Sequence, residues 1–469
     1  MNPRGGAERV PDGGAAARLQ HLTGEIDERW IDDALRRTGR QDVRAKKLPA
    51  FGVMWMVIGM GLFRDRAVAE VAVHLGLASF KGDDGGPPEG IVPSTIVEAR
   101  KRLGPEPLMA LFQRTADEWA LAPAAEQDWR GLSLFPIDGT TLRVPDSDEN
   151  AGAFGLPGSS RGRPGYPQVR LVVIMSAVTH MLASAAFGPC RGKGTGEMSL
   201  ARGLRERVPP GSLLIGDRLF LAYAELHALT RCNATDASGA RHWLIPANRN
   251  AVWTVVDKIS DTDAIVELKI NSRDRRADPS LPQTMRVRAI RYARRGFRVR
   301  FLLTSLLDPH AYPEGEIASV FRLREEIELG YDELKTHMLE RQEALRSRLP
   351  SGVRQEIWGI LTAYNLVRHR MHRIADAACL PALRISFRHS LQFFRLSWIV
   401  AAWTPRIDDL TGEGGASQYM LALLVLPERR SHRYYRRHVK IQTSSYPRNP
   451  GRSRRGHVNP SKSQEKTAI

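Results

Sequence analysis

Between Leu132 and Pro246 short apolar runs take turns with helical stretches. SLFPI (133–137), VRLVVIMS (169–176), SLLIG (212–216) and RHWLIP (241–246) read as strands, and Met181 to Phe187 reads as the hairpin partner of the second. Helical spacing fills Gly196 to Arg207 and Leu219 to Thr230. Strands and helices that alternate this way predict a mixed α/β layer.

The texture changes on either side of that region. From about Ala251 to Leu306, VWTVVDKI, AIVELKI, TMRVRAIRY and FRVRFLLTSL largely alternate apolar with polar residues. That period of two predicts antiparallel β structure with one wet face. From about Glu25 to Phe112 the spacing is helical. The run FGVMWMVIGMGLF (51–63) reads as a buried helix, too short and too glycine-rich to span a bilayer. GDDGGPPEG (82–90) reads as a loop. Pro93-Ser94-Thr95 opens a further helix, with Thr95 and Glu98 spaced as a capping box and Arg100, Lys101 and Arg102 behind them. These N-terminal helices form a candidate helix-turn-helix for DNA. Helical spacing returns over 353–375 and again over about 387–426. The expected organisation is a disordered 1–20, a helical N-terminal domain 21–125, an α/β core in two parts (126–250 and 307–376) around a β-rich insertion 251–306, a helical region 377–427, and a disordered basic tail 428–469.

The chain has 469 residues, with 69 Lys+Arg against 51 Asp+Glu, a formal net charge of +18. An excess of that size points to a polyanionic partner, most simply nucleic acid. Cys190, Cys232 and Cys379 stand alone without CxxC spacing, so neither a disulfide framework nor a zinc ribbon is expected. The first residues are polar and carry Asp and Glu, unlike a signal peptide, and a reducing cytoplasm is the expected compartment with no membrane involvement.

Two aspartates close apolar strands: Asp138 in PIDGTT and Asp217 in LIGDRLF. A carboxylate at a strand end is held rigidly and faces the edge where α/β sheets bind ligands. Gly139 and Gly216 permit close backbone approach beside each acid. Further on, FRLREEIELGYDELK (321–335) puts Phe321, Arg324, Glu328 and Lys335 within about 60° of one another on a helical wheel. Leu323, Ile327, Tyr331, Leu334 and Met338 form the apolar stripe beside them, and Glu328 borders it. A solvated amphipathic helix with ion pairs has the same pattern. Joined to Asp138 and Asp217, however, Glu328 completes a set of hard oxygen ligands suited to Mg²⁺ or Mn²⁺, with Arg324 and Lys335 beside it for an anionic backbone. Glu325 and Asp332 lie near the stripe but further from its buried border.

IDGTT, then GDRLF after an apolar strand, then F-x2-R-x3-E-x6-K resembles the DDE transposases of bacterial insertion sequences, and most closely the group named for insertion sequence four. That group's signature is Y-x2-R-x3-E-x6-K; Arg324, Glu328 and Lys335 match it and Phe321 stands in place of the tyrosine. The resemblance runs from about Trp30 to Arg370. It implies an RNase H-like core interrupted by a β-rich insertion, an N-terminal DNA-binding domain, and divalent ions held by Asp138, Asp217 and Glu328. It further implies phosphate contacts from Arg324 and Lys335, DNA ends and target DNA as substrates, and a homodimer that pairs two ends. Water would nick the element's end and the freed 3′-hydroxyl would then join it to target DNA. A DNA-binding protein without catalysis, favoured by Phe321, and a nuclease of the same fold without a joining step are the alternatives.

Other features carry less. Thr140 and Thr141 suit a strand as well as a phosphate contact. SSRGRPGYP (159–167) reads as a flexible loop before a strand. Trp243 and Trp253 read as core before they read as platforms for an extruded base. His180, His227 and His242 lack ligand spacing. RGKGTGE (191–197) departs from the G-x-x-x-x-G-K-[ST] phosphate loop.

Overall fold

The computed structural model describes residues 25–44, 46, 48–75, 77, 91–122, 129–158, 165–231, 240–293, 299–340, 344–401 and 424–427. All fall in one compact unit, Met1–Glu428. The expected disordered ends and the loop 82–90 lie outside the described residues.

Nine strands form one sheet: β1 (Ser133–Arg143), β2 (Gln168–Met175), β3 (Leu182–Pro189), β4 (Ser212–Ile215), β5 (Arg241–Pro246), β6 (Trp253–Lys258), β7 (Asp263–Lys269), β8 (Thr284–Tyr292) and β9 (Arg300–Thr304), in the order β3-β2-β1-β4-β5-β9-β8-β7-β6. β2 runs antiparallel to β1 and β3, β4 and β5 run parallel to β1, and β9 returns antiparallel on β5. The alternating segment 251–306 is therefore no separate layer. Its hairpins extend the same sheet, with a short helix, Ser272–Ala277, between β7 and β8.

Both faces of the first five strands are covered. Leu134, Leu213, Ile215 and Leu244 pack on one side with Ile317, Val320 and Phe321 of helix Glu314–Phe321. Phe135, Ile137, Leu214 and Trp243 join the larger core on the other side, which contains helices Ala50–Leu62 and Pro350–Ala377. Trp243 is fully buried, the core role expected of it.

Helix Ala50–Leu62 is the apolar run read above, and every residue except Phe51 is buried. It crosses Pro350–Ala377 at backbone contact. A Cβ built on Gly359 would lie 2.8 Å from the Val57 carbonyl oxygen, and one on Gly61 would lie 3.1 Å from the Ile360 Cα. Glycine is what permits that approach. The crossing is reinforced by the Arg64–Glu356 pair, 2.7 Å apart with both side chains at most 1% exposed. Arg346 N, Ser347 N and the Ser347 hydroxyl also donate to Glu356.

Helix Pro93–Leu103 starts as expected, but the capping box does not form. Val92 is the N-cap, no side chain caps the helix, and proline takes the first turn, where its missing N–H costs nothing. Arg100 of the basic triplet turns inward to Gln355, Ser347 and the Gly352 carbonyl. Lys101 and Arg102 stay exposed. The helix expected over 196–207 is shorter, Glu197–Arg202 followed by a turn of 3₁₀.

Candidate active site

Asp138 lies within β1, not at its tip. β1 pairs with β4 only over Ser133–Pro136, then continues against β2 over Ile137–Arg143. Thr140 and Thr141 extend the strand past the apolar run, so Asp138 sits where one side of β1 has just lost its neighbour. Leu134, Pro136, Asp138 and Thr140 share one face by the period of two. Asp138 Oδ1 accepts from Gly139 N at 2.8 Å, and its carbonyl accepts from the Tyr331 hydroxyl at 2.7 Å.

Asp217 follows β4 directly and caps the 3₁₀ turn Arg218–Phe220, accepting from Leu219 N at 2.7 Å. Gly216 keeps the chain close here; an added Cβ would meet Phe220 at 3.2 Å and Ile137 at 3.3 Å.

Glu328 comes from a third element. Residues 314–338 run as α-helix, a 3₁₀ turn at Arg322–Arg324, α-helix Glu325–Asp332, and a π-helical turn Glu333–Met338. Ile327, Tyr331, Leu334 and Met338 are buried as the apolar stripe requires. Glu328 is 58% exposed and accepts from Arg324 Nη2 at 3.1 Å. Lys335 reaches back to β1, its Nζ 3.1 Å from Thr140 Oγ1. Burial and then the Arg143 charge hold its ammonium below the usual lysine range.

Asp138, Asp217 and Glu328 line one cavity of about 510 Å³. Arg218, Arg322, Arg324 and Arg300 share its wall, together with Glu325, Phe321 and Tyr292. The cavity therefore has acids that could hold cations and a surround of guanidinium groups for anionic oxygen. Burial pushes the Asp138 carboxyl up to about 6; Gly139 N and Arg324 oppose the rise, and the charges of Asp217 and Glu197 add to it. Burial first, and neighbouring negative charge after it, disfavour the charged form of Asp138, a cost that a hard divalent ion would relieve. Among the described residues no three acidic, histidine or cysteine side chains stand close enough to share an ion as placed. The acids are engaged elsewhere, Glu328 with Arg324 and Asp217 with its own turn.

Of the expected residues, Phe321, Arg324 and the three acids line the cavity; Lys335 does not, and reaches Thr140 of β1 from the π-helical turn. Sequence reasoning missed Glu197. A Cβ on Gly139 would fall 2.4 Å from its carboxyl carbon, so Glu197 occupies the space that glycine leaves beside Asp138. Tyr292 and Arg300 were also missed, since alternation along β8 and β9 says which residues share a face and not what that face overhangs.

Behind the Glu328 helix lies a buried polar network. Glu333 is ion-paired with Arg368, and the Tyr364 hydroxyl donates to it at 2.8 Å. His180 Nε2 stands 3.0 Å from Glu326 and Nδ1 stands 2.8 Å from an Arg368 nitrogen. His180 is structural, as its spacing suggested.

Comparison with known proteins gives the family. The family described as transposase DDE domain matches residues 129–366, which contain all three acids and define the class: a DDE-domain transposase. A second family, insertion element 4 transposase N-terminal, matches residues 16–113. The chain is 33% identical over 441 residues to transposase InsG for insertion sequence element IS4 from Escherichia coli (strain K12), covering 93% of this chain and 95% of that protein. InsZ of the same strain is 31% identical over 251 residues, 53% of this chain and 77% of its own. The structure of a piggyBac transposase synaptic complex with hairpin DNA aligns over 90% of this chain and 86% of that one, with a TM-score of 0.39 and 9% identity, a likeness too distant to bear on the site. The chain belongs to the insertion element 4 family of transposases. That family's chemistry generally relies on divalent metal ions.

Proposed function

We propose that Asp138, Asp217 and Glu328 hold divalent ions, Mg²⁺ or Mn²⁺, and that the chain cuts the ends of its insertion sequence and joins them to target DNA. The observation that carries this is the meeting of three acids, from a strand, a strand-to-turn junction and a helix, in one arginine-walled cavity. Strand order β3-β2-β1-β4-β5, with β2 antiparallel and β4 and β5 parallel to β1, supports reading the core as RNase H-like. When bound, two such ions activate the attacking oxygen and stabilise the leaving one.

The protein's own groups do the rest. Glu328 leaves Arg324 to face the other acids, which frees the Arg324 guanidinium for a phosphate oxygen. Lys335, tethered to Thr140, brings a second cation next to Asp138. The outer arginines hold the flanking phosphates. Water first cleaves the phosphodiester at the element's end; the 3′-hydroxyl so released then attacks the target strand, losing its proton as the target's own 3′ oxygen leaves. Two ends must be paired, so the working complex is a dimer on DNA. No helix among the described residues is long and apolar enough to cross a membrane.

The test is Asp138→Asn, Asp217→Asn and Glu328→Gln, each assayed on a duplex carrying the element's terminal repeat. Each variant is expected to bind the duplex and to lose Mg²⁺-dependent cleavage; a variant that still cuts removes that residue from the site. Phe321 favours a second reading, a DNA-binding protein without catalysis. Detection of strand-transfer products from the unmodified protein separates the two.

A further inference from the structure

The family signature has tyrosine where this chain has Phe321, so the site lacks a phenol at that position. The cavity nonetheless contains one. Tyr292, the last residue of β8, sets its ring edge-on against Phe321, with centroids 5.5 Å apart and planes at 76°. Both rings line the cavity of the three acids. Its position is fixed from two sides: the backbone pairs with Arg300 across β8 and β9, and the ring rests on Phe321, itself packed into the sheet's second core. Tyr292 is half-buried, and among the described residues its hydroxyl has no hydrogen-bond partner. Arg300 and Arg322 line the same cavity.

A rigid ring with an unused O–H, set among guanidinium groups, suits an anionic oxygen. Tyrosine offers one donor in a defined direction, and arginine offers a planar fork for phosphate. A neutral apolar ligand would leave the Arg300 and Arg322 charges without an anionic partner. Resting on the proposed cleavage function of this cavity, we infer that Tyr292 takes over the donor role absent at residue 321, binding a non-bridging phosphate oxygen of the element's end, with Arg300 and Arg322 completing the subsite. The phenol would thus approach the DNA backbone from the β8–β9 hairpin instead of from the Glu328 helix. Tyr292 touches substrate in this account but moves no proton.

The experiment uses the full-length protein and a duplex carrying the element's terminal repeat. Tyr292→Phe removes only the hydroxyl and keeps the ring contact with Phe321. Losing one hydrogen bond to a charged group is expected to slow Mg²⁺-dependent cleavage by roughly tenfold to a hundredfold. Tyr292→Phe combined with Phe321→Tyr is expected to recover most of that loss. A set of duplexes with a single neutral methylphosphonate at each position near the cut supplies the readout that a structural role would not move. One position should slow the unmodified protein strongly and Tyr292→Phe no further. Wild-type cleavage by Tyr292→Phe, no recovery in the double variant, or an equal methylphosphonate penalty in both proteins at every position would each overturn the assignment. Asp138→Asn runs alongside. If it too cleaves, the cavity's proposed function has failed; if it is inactive while Tyr292→Phe is normal, only the role of Tyr292 has failed.

Discussion

Glu333 offers a quantitative test of how the Glu328 helix is held. Burial pushes its carboxyl up, but the Arg368 charge, with hydrogen bonds from His180 and Arg368, outweighs this and brings it down to about 2 from an ordinary 4.5. A displacement of that size corresponds to about 3 kcal/mol of folding free energy at neutral pH. The sign follows from a folded-state value below the unfolded one. The contribution is complete above about pH 5 and is lost as pH falls from there toward 2. Glu333→Gln removes the charge and leaves the Arg368 guanidinium, whose side chain is 2% exposed, without its counter-ion. The variant should therefore unfold in urea with about 3 kcal/mol less stability at pH 7, followed by tryptophan fluorescence. The gap should narrow to about half by pH 3, because the wild-type protein is by then losing the same interaction. Adding Arg368→Met should recover part of the loss, since no unpaired charge remains. A gap below about 1 kcal/mol at pH 7, or one that stays constant from pH 7 to 3, would refute this account of the network.

Further tests lie nearby. Glu356→Gln strands Arg64, Ser347 and the Arg346 amide in the helix crossing and should cost about 3–5 kcal/mol, measured by chemical denaturation; a loss under 1 kcal/mol would contradict the burial described. Gly139→Ala displaces the Glu197 carboxylate, the movable end of its side chain, so folding and end binding should be kept and Glu197→Ala should change the cleavage rate as Gly139→Ala does; unequal rates would show that the methyl group acts on Asp138 itself. The Asp138 carboxyl, raised to about 6, is protonated below that pH and cannot then hold a cation. Cleavage at limiting Mg²⁺ should fall as pH drops through about 6, and added Mg²⁺ should move the fall to lower pH; a profile indifferent to metal concentration would break the link.

The α/β layer was legible because strands covered on both faces are mostly apolar, and 133–137, 169–176, 212–216 and 241–246 are, with polar residues only at or near their ends. Where the apolar run stopped, however, the strand did not. Thr140 and Thr141 pair with Leu171 and Arg170 of β2, the strand role their β-branched side chains suit, but the polar stretch Asp138–Thr141 ended the apolar run by which β1 was read. Arg324 and Glu328 meet as a helical wheel requires, four residues apart. Lys335 lies beyond the change to π-helix at Glu333, where a uniform 100° step no longer holds, and its contact with Thr140 could not be read from spacing. The sheet's continuation through β9 was hidden for a related reason: a period of two identifies faces, whereas the neighbour of β5 is chosen by backbone pairing distant in sequence. Glu197 shows the same limit, since only the folded chain brings it against Gly139.

The glycine crossing of Ala50–Leu62 and Pro350–Ala377 has a mechanical consequence. Val57 rests on Gly359 with both its backbone and its side chain, and further along the same helix Tyr364 and Arg368 grip Glu333, five residues from Glu328. The amino-terminal helices and the acid-bearing helix are thus bolted to one rod with no slack between them. A larger side chain at Gly359 would therefore be felt at the acid-bearing helix as well as at the amino-terminal helices.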